Sequence, residues 1–446
     1  MRRLTISIDN TFVVAATLTV GVLGLYYAPC SAGSAGSANP AEFEVTTSNI
    51  KDLVIGGNPS IAAAALDAEA AAARTGQLAR SFVPSLELRA EQESVQGEAG
   101  GNAAGGNDGA SVTAYGAELT VNLFNGGRDH FDEETRKLAS ARKEFEFRRI
   151  TAGEVEKGRT ALLRIIYLQE KIVLLEMTIA TNSQNLAATQ KRIRSGVTTQ
   201  SDRFDFEMKD VDLRRDLAAV RLDLSTERRA IVLLTRLQDK AASLFFPERL
   251  QHDYDGHSAP VIGKQDHEFL VKEYELQARE LEYAGKKSAR KGWPRLDLFA
   301  GYTRYSGGHE QPSLAVEHPA GSSFGARLSM DIGAGLEGRY EAAALIKEAG
   351  AAQVQTELAK REIEAHLETE MAGVSFLHDQ VHAVEENIAR ATKYHELTKS
   401  EYARGVKNSP DMLGAAEKLF EMRHKRLEII RDYQIAKGHI LSKTGR

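Results

Sequence analysis

The feature that most constrains the fold of this 446-residue chain is an internal duplication. Three separated motifs recur at an offset of 209 or 210 residues: "ARSFVPSLELRAE" (79–91) with "ARKGWPRLDLFAG" (289–301), "ELTVNLFNGG" (118–127) with "RLSMDIGAGL" (327–336), and "RIRSGVTTQSD" (192–202) with "EYARGVKNSPD" (401–411). One offset sustained over three motifs indicates a duplicated unit. Each unit is about 200 residues long, so the pattern is a two-fold duplication and not a solenoid.

Each repeat contains two segments in which apolar and polar residues alternate. The predicted strands are 82–92 and 112–124 in the first repeat, and 294–305 and 323–332 in the second. Period-two alternation indicates a sheet with one apolar and one polar face, which a soluble β-sandwich also produces. The segment lengths and the charges confined to one side favour transmembrane β-strands.

Each strand pair is followed by a long helical pattern that reverses once. The predicted helical hairpins span 128–240 with a tip near 196, and 336–444 with a tip near 405. Apolar residues in these arms follow heptad spacing, which indicates helices that pack side by side. At 1.5 Å per residue an unbroken arm is about 100 Å long.

The N-terminal 38 residues differ from the rest of the chain. A basic start and an uncharged apolar run end in small residues, which predicts a secretory signal peptide over 1–38, cleaved after about Ala32 or Ala38. An uncleaved anchor helix is the alternative. The only cysteine, Cys30, excludes disulfides within the chain, and Pro29 before it argues against lipidation. The predicted units are then repeat 1 (39–250), a linker (251–262) and repeat 2 (263–446).

Two motifs imitate functional sites. Gly333, Gly335 and Gly338 form a G-x-G-x-x-G after a strand, but no parallel strand follows within the distance that a dinucleotide fold needs, so we attribute these glycines to the strand-to-helix turn. In "HDQVH", His378 and His382 lie one helical turn apart without a third ligand, which favours a solvated helix face. His252, His257 and His267 lack metal-ligand spacing. We therefore predict no enzyme activity, cofactor or metal site. The net charge of −5 gives no indication of nucleic-acid binding.

Taken together, the duplication, the four amphipathic strands, the two long hairpins and the export signal resemble the TolC family of outer-membrane efflux and secretion channels. The resemblance covers about residues 42–445, and its carriers include "LTVNLFNGGRD" (119–129) and the Gly-Val tip motifs. It implies a mainly α fold with a transmembrane β part. Duplicated helical hairpins form a coiled-coil tunnel, and four strands per protomer contribute to a twelve-stranded barrel in a homotrimer. Four strands alone leave open edges in lipid, so oligomerisation is required.

The resemblance also implies two functional regions near the hairpin tips. A periplasmic adaptor protein, and through it an inner-membrane pump, is expected to contact Arg194, Gly196, Val197, Thr198, Arg404, Gly405, Val406 and Lys407. The pore constriction is expected at Asp411, with Asp202, Asp205, Tyr402 and Lys407 close enough for closing contacts between hairpins. A second acidic position of the family is Gly414 here. The simpler alternatives are that the glycines only end helices, and that Asp202 and Asp411 cap the returning helices.

The sequence leaves two other protein classes open. A periplasmic adaptor also has a long helical hairpin, but it has one hairpin and no tandem strand pairs. A soluble coiled-coil scaffold needs neither a signal peptide nor alternating strands. Drug efflux, metal efflux and type I protein secretion share this kind of pore, and the exported substrate cannot be read from the sequence.

Overall fold

The structure is a computed structural model that describes residues 43–77, 83–95, 110–238, 243–252, 268–306 and 321–443. Several expectations lie outside these residues: the signal peptide 1–38 with its cleavage positions and Cys30, linker positions 253–262, His257 and His267, and most of the loop between the strands of each pair.

Four long helices dominate the described chain: α3 (Arg128–Arg194), α4 (Gln200–Thr235), α6 (Ile332–Ala403) and α7 (Ser409–Lys443). They form two hairpins, α3–α4 and α6–α7, and the 67 residues of α3 correspond to about 100 Å of helix. Shorter helices precede each strand pair: α1 (Ile50–Gly57) and α2 (Pro59–Thr75) in the first repeat, and α5 (Glu268–Ala289) in the second. No helix in the described ranges is both long and apolar enough to cross a membrane.

The four amphipathic segments form one antiparallel sheet in the order β2-β3-β5-β6. Its strands are β2 (Ser85–Val95), β3 (Ala110–Phe124), β5 (Arg295–Ser306) and β6 (Gly321–Ser329). The central pair β3–β5 joins the two repeats, and β2 and β6 remain as edges. A separate parallel pair joins β1 (Phe43–Glu44) to β4 (Leu244–Phe245).

The sheet carries its apolar side chains on a face that none of the described residues covers. Phe324 is 88% exposed and Leu88 is 76% exposed, although both belong to the alternating apolar set. The polar face holds an ion pair between Arg327 and Glu118 at 3.5 Å across the strands. A contiguous exposed apolar face of this kind marks a surface that contacts lipid or another protein.

The structure corrects the boundary between β6 and α6. The predicted strand 323–332 ends at Ser329, and the predicted hairpin start at 336 moves forward to Ile332. The reason is Asp331, whose carboxylate accepts a hydrogen bond from the Ala334 N–H at 2.9 Å and caps the new helix. The other hairpin ends earlier than predicted, at Thr235 instead of 240.

The glycines after this boundary do not form the strand-to-helix turn that the sequence predicted. Gly333, Gly335 and Gly338 lie within α6, and none of them has a positive φ. A Cβ on Gly338 would lie 2.3 Å from the Ser288 carbonyl oxygen at the end of α5. Gly338 is therefore needed for close helix packing and not for turning the chain, and the dinucleotide interpretation has no support.

Apolar packing is distributed along the hairpins in separate clusters. The largest cluster packs α1 and β4 against α3 and α4, with Ile50, Leu162, Ile165, Ile231 and Leu244 almost fully buried. A second cluster brings Leu427 of α7 against α3 and α4 and so joins the two hairpins. Heptad positions of α6 such as Val381, Val384 and Tyr402 are also buried, which confirms the predicted seam.

One polar contact crosses between the hairpins next to the second cluster. The Tyr167 hydroxyl of α3 lies 2.8 Å from Nε2 of His424 on α7, and the His424 ring stacks on Phe420. Burial raises the pKa of Tyr167 to about 12. Burial, reinforced by the nearby Lys171, lowers the pKa of His424, so the folded chain favours the neutral imidazole.

We predict that acidification weakens this contact. Because the folded chain binds a proton at His424 less readily than the unfolded chain, lowering the pH through about 6.5 favours unfolding. Melting temperatures between pH 7.5 and 5 should fall less steeply for His424→Gln than for the wild type. His366→Ala, a change at an exposed histidine of α6, serves as the control and should leave the slope unaltered. Equal slopes for His424→Gln and the wild type would contradict the assignment.

Candidate functional site at the hairpin tips

The two hairpin tips have the same backbone geometry. Gly196 ends α3 with φ +76°, and Gly405 ends α6 with φ +82°. In each tip, the glycine N–H and the valine N–H after it donate hydrogen bonds to carbonyl oxygens of the preceding turn. All four N···O distances are 3.0 Å. This pattern is a Schellman motif, and a side chain in the left-handed conformation costs roughly 1–2 kcal/mol. The glycines therefore do end the helices, as the simpler alternative states.

The tips lie beside each other and expose their valines. Val197 is 57% exposed and Val406 is 70% exposed. A Cβ on Gly405 would lie 3.8 Å from Cγ1 of Val197, so the two turns of one chain are adjacent. Among the other expected tip residues, Arg194 and Arg404 are exposed, whereas Thr198 and Lys407 are partly buried.

A buried serine connects the first residues of α7 to two carboxylates of α4. The Ser409 hydroxyl is fully buried and lies 2.6 Å from Oδ1 of Asp202 and 2.8 Å from Oδ2 of Asp205. It has one proton, so it donates to one carboxylate at a time. The other oxygen of Asp202 accepts a short hydrogen bond from the Thr198 hydroxyl. Asp202 thus bonds across the hairpins and, by these contacts, is not a helix cap.

Asp411 makes a different set of contacts. Its Oδ2 accepts from the Asn408 N–H at 3.4 Å, and its own N–H donates to Oδ1 of Asn408 at 3.1 Å. Such a reciprocal pair is a capping box at the start of α7. Lys407 approaches the same carboxylate at 3.9 Å, and both side chains are about two-fifths exposed. Asp411 therefore caps the helix, as the simpler alternative states. Its carboxylate is still partly exposed to solvent.

Tyr402 lies inside the contact between the hairpins. It is only 5% exposed, and its hydroxyl lies 2.8 Å from the Thr189 hydroxyl of α3. The Arg192 guanidinium lies 4.1 Å from the centre of the Tyr402 ring, and Phe206 meets the ring edge-on. Tyr402 can line a pore only if the hairpins separate.

Sequence reasoning missed the partners of these residues. Ser409, Thr189, Arg192 and Phe206 gave no signal as functional residues, although Ser409 precedes Pro410 at a predicted helix start. Their contacts join positions 196 to 213 residues apart. The duplication offset of 209 brings the two tips to the same end, but it does not say which side chains meet.

Among the described residues, a sheet with one exposed apolar face is joined to two hairpins about 100 Å long that end in adjacent glycine turns. This combination is typical of long outer-membrane channel protomers. The family model for outer membrane efflux proteins matches residues 52–235 and 264–446. The chain belongs to the outer membrane efflux protein family.

Solved structures share the fold at low sequence identity. CusC superposes with a TM-score of 0.75 at 15% identity, covering 89% of this chain and 91% of CusC. A membrane protein from Pseudomonas aeruginosa gives 0.76 at 19% identity, with 94% and 96% covered. The CmeC outer membrane channel of Campylobacter jejuni gives 0.75 at 12% identity, with 89% and 85% covered. A comparison with curated protein sequences gave no match.

The family assignment confirms the expected fold class and location. The protein is an efflux channel component of the outer membrane that extends into the periplasm, and it is a transport protein and not an enzyme. The adaptor and scaffold alternatives are thereby set aside.

Proposed function

We propose that three copies of this chain assemble into one channel that serves a tripartite efflux or type I secretion system. Each copy contributes four strands to a twelve-stranded barrel and two hairpins to a tunnel across the periplasm. The observation that carries this proposal is the four-stranded sheet with open edges β2 and β6 and an uncovered apolar face. Substrates pass from an inner-membrane pump through the tunnel to the outside.

The open edges support assembly because unpaired N–H and C=O groups in hydrocarbon each cost several kcal/mol. All neighbouring strands of the sheet are antiparallel, so β6 of one copy can pair with β2 of the next in the same sense. Four strands per copy satisfy the even strand number of such barrels. The known channels CusC and CmeC share the fold, which makes the same use of it reasonable here.

The hairpins carry a second unpaired surface. Phe204, Met208 and Val211 of α4 are 56%, 61% and 68% exposed and follow a 4-3 spacing along one helix face. Apolar residues at this spacing form the seam of a coiled coil. Neighbouring copies that pack along this seam would bury it and close the tunnel wall.

We predict that the two sheet edges can be cross-linked between copies. Glu87 in β2 and Ser323 in β6 lie in one row across the sheet, through Glu118 and Gly301. In a Cys30→Ser background, the pair Glu87→Cys and Ser323→Cys treated with a bis-maleimide about 10 Å long should give covalent dimers and trimers on a denaturing gel. Either cysteine alone should give no trimer. Monomers only, from protein that is folded and detergent-extracted, would contradict the trimer.

We propose further that the tip contacts hold the resting channel closed. Asp202 and Asp205 with Ser409, and Tyr402 with Thr189, link the hairpins of one chain at the tunnel end. In a trimer, the partly exposed Asp411 and Lys407 would form a charged ring at the constriction. Carboxylates in such a ring favour cations.

Loss of the aspartates should open the channel. We predict that Asp202→Ala/Asp205→Ala raises single-channel conductance in a planar bilayer several-fold, because the two hairpins lose their contacts with Ser409 at the tip. Separately, Asp411→Ala should raise the conductance and lower the cation selectivity, because the proposed ring loses its carboxylates. Asp210→Ala is the matched control, since Asp210 lies on the same helix but pairs with Arg214 of that helix. Unchanged conductance and ion selectivity in both variants would contradict the assignment of the gate to these residues.

We propose that the exposed tip valines bind the hairpin of an adaptor protein. Val197 and Val406 are apolar side chains held out by rigid glycine turns, with Arg194 and Arg404 at their side. Small rigid apolar projections beside cations suit a partner helix with an apolar stripe and acidic flanks.

Adding bulk at the tip should block this docking. Val406→Trp is expected to abolish export in cells while trimers still form on native gels, since the substitution projects into solvent in the free channel. Val406→Ile retains the apolar β-branched side chain and should export normally. Wild-type export by Val406→Trp, at equal protein level, would argue against adaptor contact at Val406.

A further inference from the structure

Two histidines of the second hairpin meet a third histidine that is remote in sequence. His378 and His382 lie one turn apart on α6, and their ring centres are 5.1 Å apart. His252, which follows β4 in the segment between the repeats, lies 4.9 Å from His378 and 5.8 Å from His382, again between ring centres. The sequence spacing gave no indication that His252 joins the other two.

The backbone next to His252 is fixed by contacts with both hairpins. The Leu250 N–H donates to Oε1 of Glu170 on α3 at 2.8 Å, and the Gln434 side chain of α7 donates to the Gln251 carbonyl at 2.7 Å. His252 is 8% exposed, and the Tyr433 ring of α7 lies 5.1 Å from it. His252 is therefore presented to α6 at a defined position.

The spacing of the three rings fits one metal ion. A tetrahedral zinc ion with nitrogens at about 2.0–2.1 Å holds the centres of its imidazole ligands roughly 5 Å apart. The observed triangle of 4.9, 5.1 and 5.8 Å is close to this value. Histidines four residues apart on a helix are a recurrent metal-binding pair, and a third histidine completes the protein ligands of an open site.

The rings must turn for their nitrogens to converge. His252 and His378 are nearly parallel, with 22° between their planes, and as the side chains stand no group of three ligand residues in the described ranges could hold a metal. The terminal torsion of histidine is broad, so an imidazole can turn without moving the backbone. Nδ1 of His378 is buried without a hydrogen-bond partner among the described residues, so a ligand there replaces no such bond.

We propose that His252, His378 and His382 bind one divalent transition-metal ion of the zinc type. Imidazole ligands select zinc, copper and nickel over magnesium and calcium. His382 is exposed, which leaves a coordination position for water or a further ligand. The ion fastens the segment between the repeats to the second hairpin, and this site does not depend on the proposed trimer or adaptor.

The test uses full-length, detergent-extracted protein without a polyhistidine tag, titrated with ZnCl₂ by calorimetry and with CoCl₂ by visible absorption. The wild type should bind one Zn²⁺ per chain and give the intense visible bands of tetrahedral Co²⁺. His378→Ala and His252→Gln should each weaken Zn²⁺ binding at least about tenfold, as loss of a ligand must exceed loss of its supporting contacts. His366→Ala, at an exposed histidine on the same helix, should bind as the wild type does.

Two results would overturn the site. If the folded wild type binds no Zn²⁺ and gives no tetrahedral Co²⁺ bands, the three histidines pack together without forming a metal site. If His378→Ala weakens binding but His252→Gln does not, the ion sits on a pair of residues of one helix and the three-residue site is wrong. The Co²⁺ spectrum needs only wild-type protein, so the test remains decisive if a variant fails to fold.

Discussion

The structure depends on one constraint: a four-stranded sheet with an apolar face cannot be stable alone in either water or lipid. In water the exposed Phe324, Leu88 and Leu328 side chains keep hydrocarbon in contact with solvent. In lipid the apolar face is satisfied, but the free edges β2 and β6 are not. In the proposed trimer, closure with further copies removes both problems. Each strand pair leads directly into a hairpin, so the hairpins of the copies come together below the sheet, and the exposed α4 seam of Phe204, Met208 and Val211 is then available for their packing.

Much of the fold could be predicted because the spacing of apolar residues indicates which segments are strands and which are helices. The alternation of apolar and polar residues predicted the four strands, and the heptad spacing predicted the long helices. The offset of 209 or 210 residues showed which elements of the two repeats correspond. The prediction of element boundaries failed where two local signals compete. Met330 and Ile332 continue the alternation beyond β6, but the Asp331 carboxylate caps a helix at that point and ends the strand. Gly338, interpreted as a turn residue, is a site of close packing against the Ser288 carbonyl, because the sequence does not reveal which helix passes nearby.

The sequence indicated where the candidate site lies, but not which side chains contact one another in it. The Gly-Val turns indicate the tips, and the backbone there matches in both repeats. The partners of Asp202, Asp205 and Tyr402 come from another hairpin, and the rotation of long helices about their axes decides which side chains meet. A heptad pattern fixes one seam per helix, whereas each of these helices contacts more than one neighbour. The histidine cluster was missed for a different reason: His252 lies in a segment without helical or strand periodicity, so the sequence does not indicate which helix it contacts.

The kind of contact along the hairpins indicates where the channel can open. In the middle, Leu427 of α7 is buried with Leu174, Leu175 and Leu213 of the first hairpin, so separation there would expose apolar surface at about 25 cal/mol per Å². At the tip, Ser409 contacts Asp202 and Asp205, and these groups can exchange their partners for water at a net cost of about 1.5–3 kcal/mol, the range for a hydrogen bond to a charged group. The small apolar contact of Tyr402, Phe206 and Met412 lies between these two regions. In the proposed gating, hairpins held by apolar contacts in the middle and by polar contacts at the tip separate first at the tip. The proposed adaptor, bound at the tips, would then act where separation of the hairpins costs the least free energy.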